Sequence, residues 1–94
     1  MNVYDLGDTV KLKGQVAKAE VTSAPTFSLA IKDPKGVVVS YVPAQEETST
    51  HWCGVFDLLV PVNAEVGKWT YKFSVSGSAV QVEYGEFFVR AALI

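Results

Sequence analysis

The chain has 94 residues, of which eight are basic and ten are acidic, so its formal net charge is −2 at pH 7. Its hydrophobic fraction of 49% argues against disorder, and its length fits one domain. The basic residues form no stripe, which makes nucleic acid a poor partner, and no apolar stretch approaches the ~20 residues that span a bilayer.

Two strands and the turn between them are predicted at the start of the chain. Residues 2–4 form a short strand, and residues 5–8 form a turn in which Gly7 is free to take a positive φ. The next strand covers residues 9–16, where Gly14 marks a bulge or a close approach of other atoms. Its apolar side chains on one face are Val10, Leu12 and Val16.

The strongest local signal is the turn Asp-Pro-Lys-Gly at residues 33–36. Its proline presets φ for the first central position, and its glycine supplies the left-handed residue that closes a hairpin. Residues 27–32 and 37–42 are the two arms, and Pro43 ends the second arm because it cannot donate to a ladder. Residues 17–25 are mixed and polar, which indicates a connection between sheets. The inward set of the first arm is Phe27, Leu29 and Ile31.

The second half of the chain begins with residues 44–53, the most polar stretch, which we interpret as a loop. Residues 54–60 are predicted to form a strand, and residues 61–67 turn into the next one. Its inward set is Phe56, Leu58 and Val60. Residues 69–76 alternate strictly between large apolar and polar side chains, which in a strand buries one face. This row is Trp69, Tyr71, Phe73 and Val75.

The last strand is predicted over residues 79–90, after a turn at residues 76–78. The apolar positions change parity within it. Val80, Val82 and Tyr84 share one parity, and Phe87 and Val89 share the other. A bulge at Gly85 would reconcile the two.

About seven or eight short strands, with turn signals at regular spacing and no repeat or linker, predict an all-β fold. An antiparallel β-sandwich over residues 1–94 fits best. A small closed barrel is the alternative, because strand count does not separate the two. Cys53 is the single cysteine, so no intrachain disulfide is formed and an antibody-type sandwich with an inter-sheet bridge is excluded.

Little chemistry is visible. His51 and Cys53 point the same way on an extended segment, but no oxyanion-hole motif and no second His or Cys accompanies them. We therefore favour a structural role for both and predict no catalytic residue, no metal and no cofactor. Two acidic pairs could offer oxygens to calcium, although a turn and a solvated loop explain them more simply: Asp5 with Asp8, and Glu46 with Glu47.

Trp52 is the aromatic residue whose position is open. It lies beside His51 at the end of the polar stretch. It is either an exposed anchor for a partner or a side chain folded back over the edge of the core, and the sequence favours neither. The aromatic row of residues 69–76 is assigned to the core instead of a carbohydrate platform, because its alternation with polar residues is that of a buried face.

Several stretches resemble a known family. Residues 4–12, 31–36 and 67–73, followed by residues 85–89, are similar in order to the small Ig-like domains encoded among structural genes of tailed bacteriophages. They are more loosely similar to bacterial macroglobulin-type and surface Ig-like modules. The similar residues are turn and core residues, which specify a fold better than a task. The resemblance implies an Ig-like sandwich of about seven strands and a non-enzymatic virion protein.

The leading hypothesis is a capsid decoration (cement) protein that binds the major capsid protein or other virion proteins. The start of the chain lacks a signal peptide, as expected for a virion component made in the host cytoplasm. We expect His51 and Trp52 to form a loop contact, and Leu93 and Ile94 to lie in a docking arm at residues 91–94. Alternatives are a neck or tail component and a cell-surface or fibre module that binds glycans through Trp52. A homo-oligomer fits the same composition, and an enzyme using Cys53 and His51 ranks last.

Overall fold

The structure is a computed structural model that describes residues 2–77 and 81–91. Eight strands occur in these ranges, and a 3-10 turn, Lys18–Glu20, follows the second of them. The strands are β1 (Asn2–Asp5), β2 (Thr9–Ala17), β3 (Thr26–Lys32), β4 (Val38–Tyr41), β5 (Ala44–Glu47), β6 (His51–Leu59), β7 (Gly67–Ser76) and β8 (Gln81–Arg90). Within the same ranges, no helix is long and apolar enough to cross a membrane.

The strands form two open sheets. The five-stranded sheet has the order β1-β8-β7-β3-β4, and the three-stranded sheet has the order β2-β6-β5. Neighbouring strands are antiparallel except β1 and β8, which run parallel. The predicted all-β sandwich is therefore confirmed at this level, and the described strands do not close into the alternative barrel.

The core lies between the two sheets in two clusters. The larger cluster contains Val10, Leu12, Leu29, Ile31, Leu58, Val60, Phe73, Phe87 and Val89. The smaller cluster contains Val16, Phe27 and Val75. These residues confirm most of the inward sets predicted by alternation. Phe56, Trp69 and Tyr71 were also expected inside, and they pack against the larger cluster while only partly buried.

Two glycines let aromatic rings of the five-stranded sheet rest on the backbone of the three-stranded sheet. Gly14 and Gly54 lie directly opposite each other in the β2–β6 ladder. A Cβ added at Gly14 would lie 2.9 Å from the Phe73 ring, and one at Gly54 would lie 2.8 Å from the Phe27 ring. The register runs unbroken through both positions. Gly14 therefore marks a close approach and not a bulge.

The predicted bulge at Gly85 is wrong. The β7–β8 register is continuous from the pair Gly67–Val89 to the pair Val75–Gln81. Gly85 lies opposite Tyr71, and a Cβ there would collide with the Tyr71 ring. The parity changes because β8 exposes Val82 and Tyr84 on the outer face of the sheet, while Phe87 and Val89 point into the core. Val80 lies outside the described residues.

The loop predicted over residues 44–53 is also wrong, since most of it is a hairpin. β5 pairs with β6 from Ala44–Val55 to Glu47–Trp52, and only residues 48–50 connect the two strands. All four residues of β5 are exposed. An edge strand without a buried face has no alternation of apolar and polar residues, which is why the pattern did not reveal it. The described strands number eight instead of about seven for this reason.

The turns predicted from glycine are confirmed. Gly7 has φ 91° and Gly36 has φ 90°, both in the left-handed region that favours glycine. In the second turn, Asp33 Oδ1 accepts hydrogen bonds from the backbone N–H groups of Lys35 and Val37, each at 2.9 Å. The turn that joins β3 to β4 is thus stabilised by hydrogen bonds from its own backbone to the Asp33 carboxylate.

Replacing Gly14 with alanine should destabilise the fold. The added methyl group overlaps the Phe73 ring, and overpacking of this kind costs about 1–3 kcal/mol. Urea unfolding measures the change. Gln15→Ala, on the exposed face of the same strand, is the matched control and should change stability by less than about 0.5 kcal/mol. Adding Phe73→Leu to Gly14→Ala should cost less than the sum of the two single changes, and full additivity would contradict the close contact.

The fold should lose stability in alkaline solution through Tyr71. Burial is the main cause that raises the pKa of Tyr71, and the charges of Glu83 and Tyr4 add to it. The folded state therefore holds the phenol proton of Tyr71 more tightly than the unfolded state does. The resulting stabilisation of the fold is complete below the unfolded pKa of about 10 and is lost as pH rises through the folded pKa. Tyr71→Phe should reduce the fall in unfolding free energy between pH 9 and pH 11. Tyr84→Phe removes an exposed phenol as the control, and an unchanged slope in Tyr71→Phe would contradict the assignment.

Candidate functional site

Trp52 is folded back over the edge of the core, the second of the two positions considered for it. It lies opposite Val16 in the β2–β6 ladder and packs against the smaller core cluster. The Lys18 amine lies 5.1 Å from the centroid of its ring, within cation–π range. Lys18 also forms a 2.9 Å salt bridge with Glu47. The ring is therefore covered from one side by a fixed lysine, and its contact with a partner stays a prediction.

His51 begins β6 and faces the loop at residues 48–50. Its Nδ1 atom lies 2.7 Å from Thr50 Oγ1, and its backbone N–H donates to Thr48 Oγ1 at 2.9 Å. These contacts give His51 a role in closing the β5–β6 turn. Any contact of His51 with another protein stays a prediction.

Cys53 lies two residues further along β6 and is only 1% exposed. It is flanked by Gln15 on β2 and Glu46 on β5. A catalytic thiol must be reachable by its substrate, and this sulfur is enclosed. In the ranges that the structure describes, no group of three or more His, Cys, Asp or Glu side chains could hold a metal ion.

The acidic pair at the first turn binds the protein's own groups. Asp8 Oδ2 accepts a hydrogen bond from the backbone N–H of Asp5 at 2.8 Å. The Asp5 carboxylate in turn lies 2.6 Å from Arg90 Nε. The backbone N–H of Leu6 donates to the Arg90 carbonyl at 3.0 Å. These contacts fasten β1 to the end of β8, in keeping with the structural role predicted for Asp5 and Asp8.

Leu93 and Ile94 lie outside the described residues, together with Ala92. The docking arm expected at residues 91–94 therefore stays a prediction.

Four strands lie at the edges of the two sheets, and β4 differs from the other three in charge. β1 ends in an aspartate, β2 carries Lys11 and Lys13, and β5 carries Glu46 and Glu47. Charged side chains on an edge discourage pairing with another chain. β4 has none. This absence extends over residues 37–42, which we call the β4 edge.

The side chains of the β4 edge are exposed and apolar. Its four valines, Val37, Val38, Val39 and Val42, are 56%, 57%, 47% and 86% exposed. Single exposed apolar residues are ordinary, but a contiguous group often marks an interaction surface. β-branched residues also favour the extended backbone that a strand partner needs.

The backbone of the β4 edge is available on its outer side. Asp33 N–H donates to the Val37 carbonyl at 3.0 Å, which makes this a hydrogen-bonded pair. Bonded and non-bonded pairs alternate along an antiparallel ladder. The register pairs Val39 with Ile31, so Val38 and Ser40 direct their N–H and C=O groups away from β3. These groups are positioned to pair with an additional strand.

A groove of about 370 Å³ runs beneath the β4 edge, where the two sheets separate. Val37, Val39 and Trp69 line it from the five-stranded sheet, and Leu58 lines it from the three-stranded sheet. On the three-stranded side, β5 pairs only with residues 52–55 of β6. The Leu58 end of β6 consequently lacks a neighbour on that side.

Both ends of the groove are fixed by side-chain contacts. At one end, Trp69 Nε1 donates to the Glu65 carbonyl at 3.0 Å, and the Lys35 amine forms a 2.9 Å salt bridge with the Glu65 carboxylate. The hydrogen bond to Glu65 raises the pKa of Lys35. At the other end, the rings of Tyr41 and Phe56 lie 4.6 Å apart between the sheets. The groove is thus a built feature of the sandwich.

Comparisons with known proteins include a distant likeness to a solved structure. No family model matches the chain, and no curated protein matches it. Among solved structures, the fold is similar to part of a family 123 glycoside hydrolase from Clostridium perfringens, described in a study of glycolipid glycan hydrolysis. The TM-score is 0.57 at 11% identity, over 98% of this chain and 23% of that enzyme. The chain therefore spans less than a quarter of that protein, and the likeness shows the fold alone.

Truncating Trp52 should destabilise the fold. Because the ring is half-buried against the smaller core cluster, Trp52→Ala should lower the unfolding free energy by about 1–3 kcal/mol, less than the ~3–5 kcal/mol of a fully buried tryptophan. Lys18→Ala removes the covering cation alone and should cost less than about 1 kcal/mol. Thermal and urea unfolding measure both changes. A Trp52→Ala variant as stable as the parent chain would show that the ring does not belong to the core.

Proposed function

We propose that this chain is a non-enzymatic structural domain of a tailed-phage virion, and that it binds other virion proteins through the β4 edge. The docking proposal rests on one observation, the uncharged and exposed β4 edge with a groove beneath it. A partner segment adds to the sheet as a further strand, bonded to the outward groups of Val38 and Ser40. Main-chain hydrogen bonds then give affinity, and alternate side chains entering the groove give specificity.

The order of the strands supports an Ig-like type. In Ig sandwiches one sheet contains strands B, E and D as neighbours, and the other contains C, F and G. The orders β2-β6-β5 and β3-β7-β8 correspond to these sets. β1 adds in parallel to β8, and β4 adds beside β3.

The virion context rests on the resemblance to phage Ig-like domains, and within it the leading candidate is a capsid decoration protein bound to the major capsid protein. A neck or tail component would use the same edge in fewer copies. The alternative of a glycan-binding module that uses Trp52 has less support, because that ring packs on the core beneath Lys18.

Copy counting by mass spectrometry on purified particles of the phage that encodes the chain tests the virion assignment. Hundreds of copies are expected for capsid decoration. Six to a few dozen would indicate the neck or tail, and absence from the particles would contradict a virion role.

Single changes on the β4 edge test the docking surface. Val39→Lys places an inward-pointing charge on the edge, and Ser40→Pro removes an outward N–H without breaking a bond to β3. Each should reduce co-sedimentation with particles that lack the chain by at least about tenfold, while circular dichroism shows an unchanged fold.

Two controls accompany the β4 edge variants. Val3→Lys makes the same chemical change at a valine of similar exposure, 52%, on the opposite edge of the same sheet, and should bind normally. Deletion of residues 91–94 tests the docking arm separately. Full binding by Val39→Lys and Ser40→Pro would contradict docking through β4, and loss of binding in the deletion alone would assign it to the arm.

A further inference from the structure

The outer face of the five-stranded sheet holds a shallow depression of about 550 Å³. Two cross-strand rows define it. One row runs Val38, Lys32, Thr70, Glu86, and the next runs Ser40, Ala30, Lys72, Tyr84. The small residues Ala30 and Thr70 lie diagonally between long ones. The floor is therefore low, and the long side chains form a rim around it.

The rim carries a local positive charge. Lys32 and Lys72 lie on neighbouring strands at diagonal positions of the register. Among the described residues, neither forms an ion pair. The carboxylate of the rim, Glu86, is already 3.7 Å from the Lys68 amine. Two unpaired cations at one depression, in a chain of net charge −2, favour an anionic ligand there.

The same rim presents a flat aromatic side chain. Tyr84 is 75% exposed and lies opposite Lys72 in the β7–β8 ladder. Val38 lies on the other side of the depression, two strands away from Lys72. The site thus has an aromatic wall, an apolar wall, two cations and a hydroxyl group from Thr70.

We propose that this depression binds a carboxylate-bearing sugar, such as a uronic or sialic acid unit. The ammonium groups of Lys32 and Lys72 bind the carboxylate, and the apolar C–H face of the pyranose ring stacks on Tyr84. Thr70 Oγ1 hydrogen-bonds a ring hydroxyl. A few polar groups placed around an apolar surface are what orient small ligands in protein sites.

An acidic peptide fits this place less well. β3 and β7 form the floor and are paired on both sides, so they offer no backbone groups for strand addition. With Ala30 and Thr70 at its centre, the floor provides no deep pocket for an apolar side chain of the kind that anchors peptides. A second copy of the same face would oppose lysines to lysines. A pyranose ring needs neither backbone pairing nor a deep pocket, and its carboxylate is attracted to the lysines instead of opposing them.

Titration of the ¹⁵N-labelled full chain with 3′-sialyllactose and with trigalacturonate tests the proposal by NMR. At least one should shift the amides of Ala30, Thr70, Lys72 and Gly85, whereas the matched neutral sugars, lactose and galactotriose, should not. Lys72→Ala and Tyr84→Ala should each raise the Kd about tenfold or more. Raising the NaCl concentration from about 0.05 M to about 0.5 M should weaken binding severalfold, because exposed charges are screened.

Lys13→Ala is the matched control, since this lysine is exposed on the other sheet, and it should bind as the parent chain does. Val38 belongs to both proposed sites, but Val39 lies on the opposite face of the sheet, paired with Ile31. Val39→Lys should therefore bind the sugar normally, and the two proposals fail separately. Absence of shifts with both acidic sugars would overturn the inference. Equal binding of neutral sugars would overturn it too, as would a hexaglutamate peptide that binds independently of Tyr84.

Discussion

The close contact between aromatic rings and glycine backbone is the constraint on which the sandwich depends. Phe27 and Phe73 project from one sheet onto Gly54 and Gly14 of the other. Because the two glycines are direct partners in the β2–β6 ladder, the register of that ladder and the position of the facing sheet are set together. A slip of one residue would turn every side chain of β2 to the opposite face and place a lysine or glutamine against the rings.

The unpaired β4 edge lies where the facing sheet is incomplete. β5 covers only one half of β6. The remaining half faces β4 across the groove. The charged residues of the other edge strands lie where another chain would otherwise pair with them. The proposed docking therefore falls at the one edge, among the described strands, that lacks this protection.

Alternation predicted the buried faces well because each of these strands has one face in the core. It identified β2, β3, β6 and β7 and placed Val10, Leu29 and Phe73 inside. It failed at β5, which buries nothing, and at Gly85, where a change of parity came from exposure and not from a bulge.

Alternation could not locate the candidate sites, for a different reason. Whether a strand lies at an edge, and whether Lys32 and Lys72 meet on one face, depends on pairing between strands that sequence spacing does not specify. His51 and Trp52 were chosen for their place in a polar stretch, and that stretch proved to be a hairpin.

The parallel pairing of β1 with β8 has a mechanical consequence. β1 pairs with β8 from Asn2–Phe87 to Asp5–Arg90, and the Asp5–Arg90 salt bridge reinforces its end. A tension applied between residues 2 and 90 pulls these two strands in opposite directions along their length. The ladder is then loaded in shear, so its hydrogen bonds share the force and must yield together instead of unzipping one by one. The β1–β8 ladder therefore resists a pull between these two strands more than an unzipping geometry would.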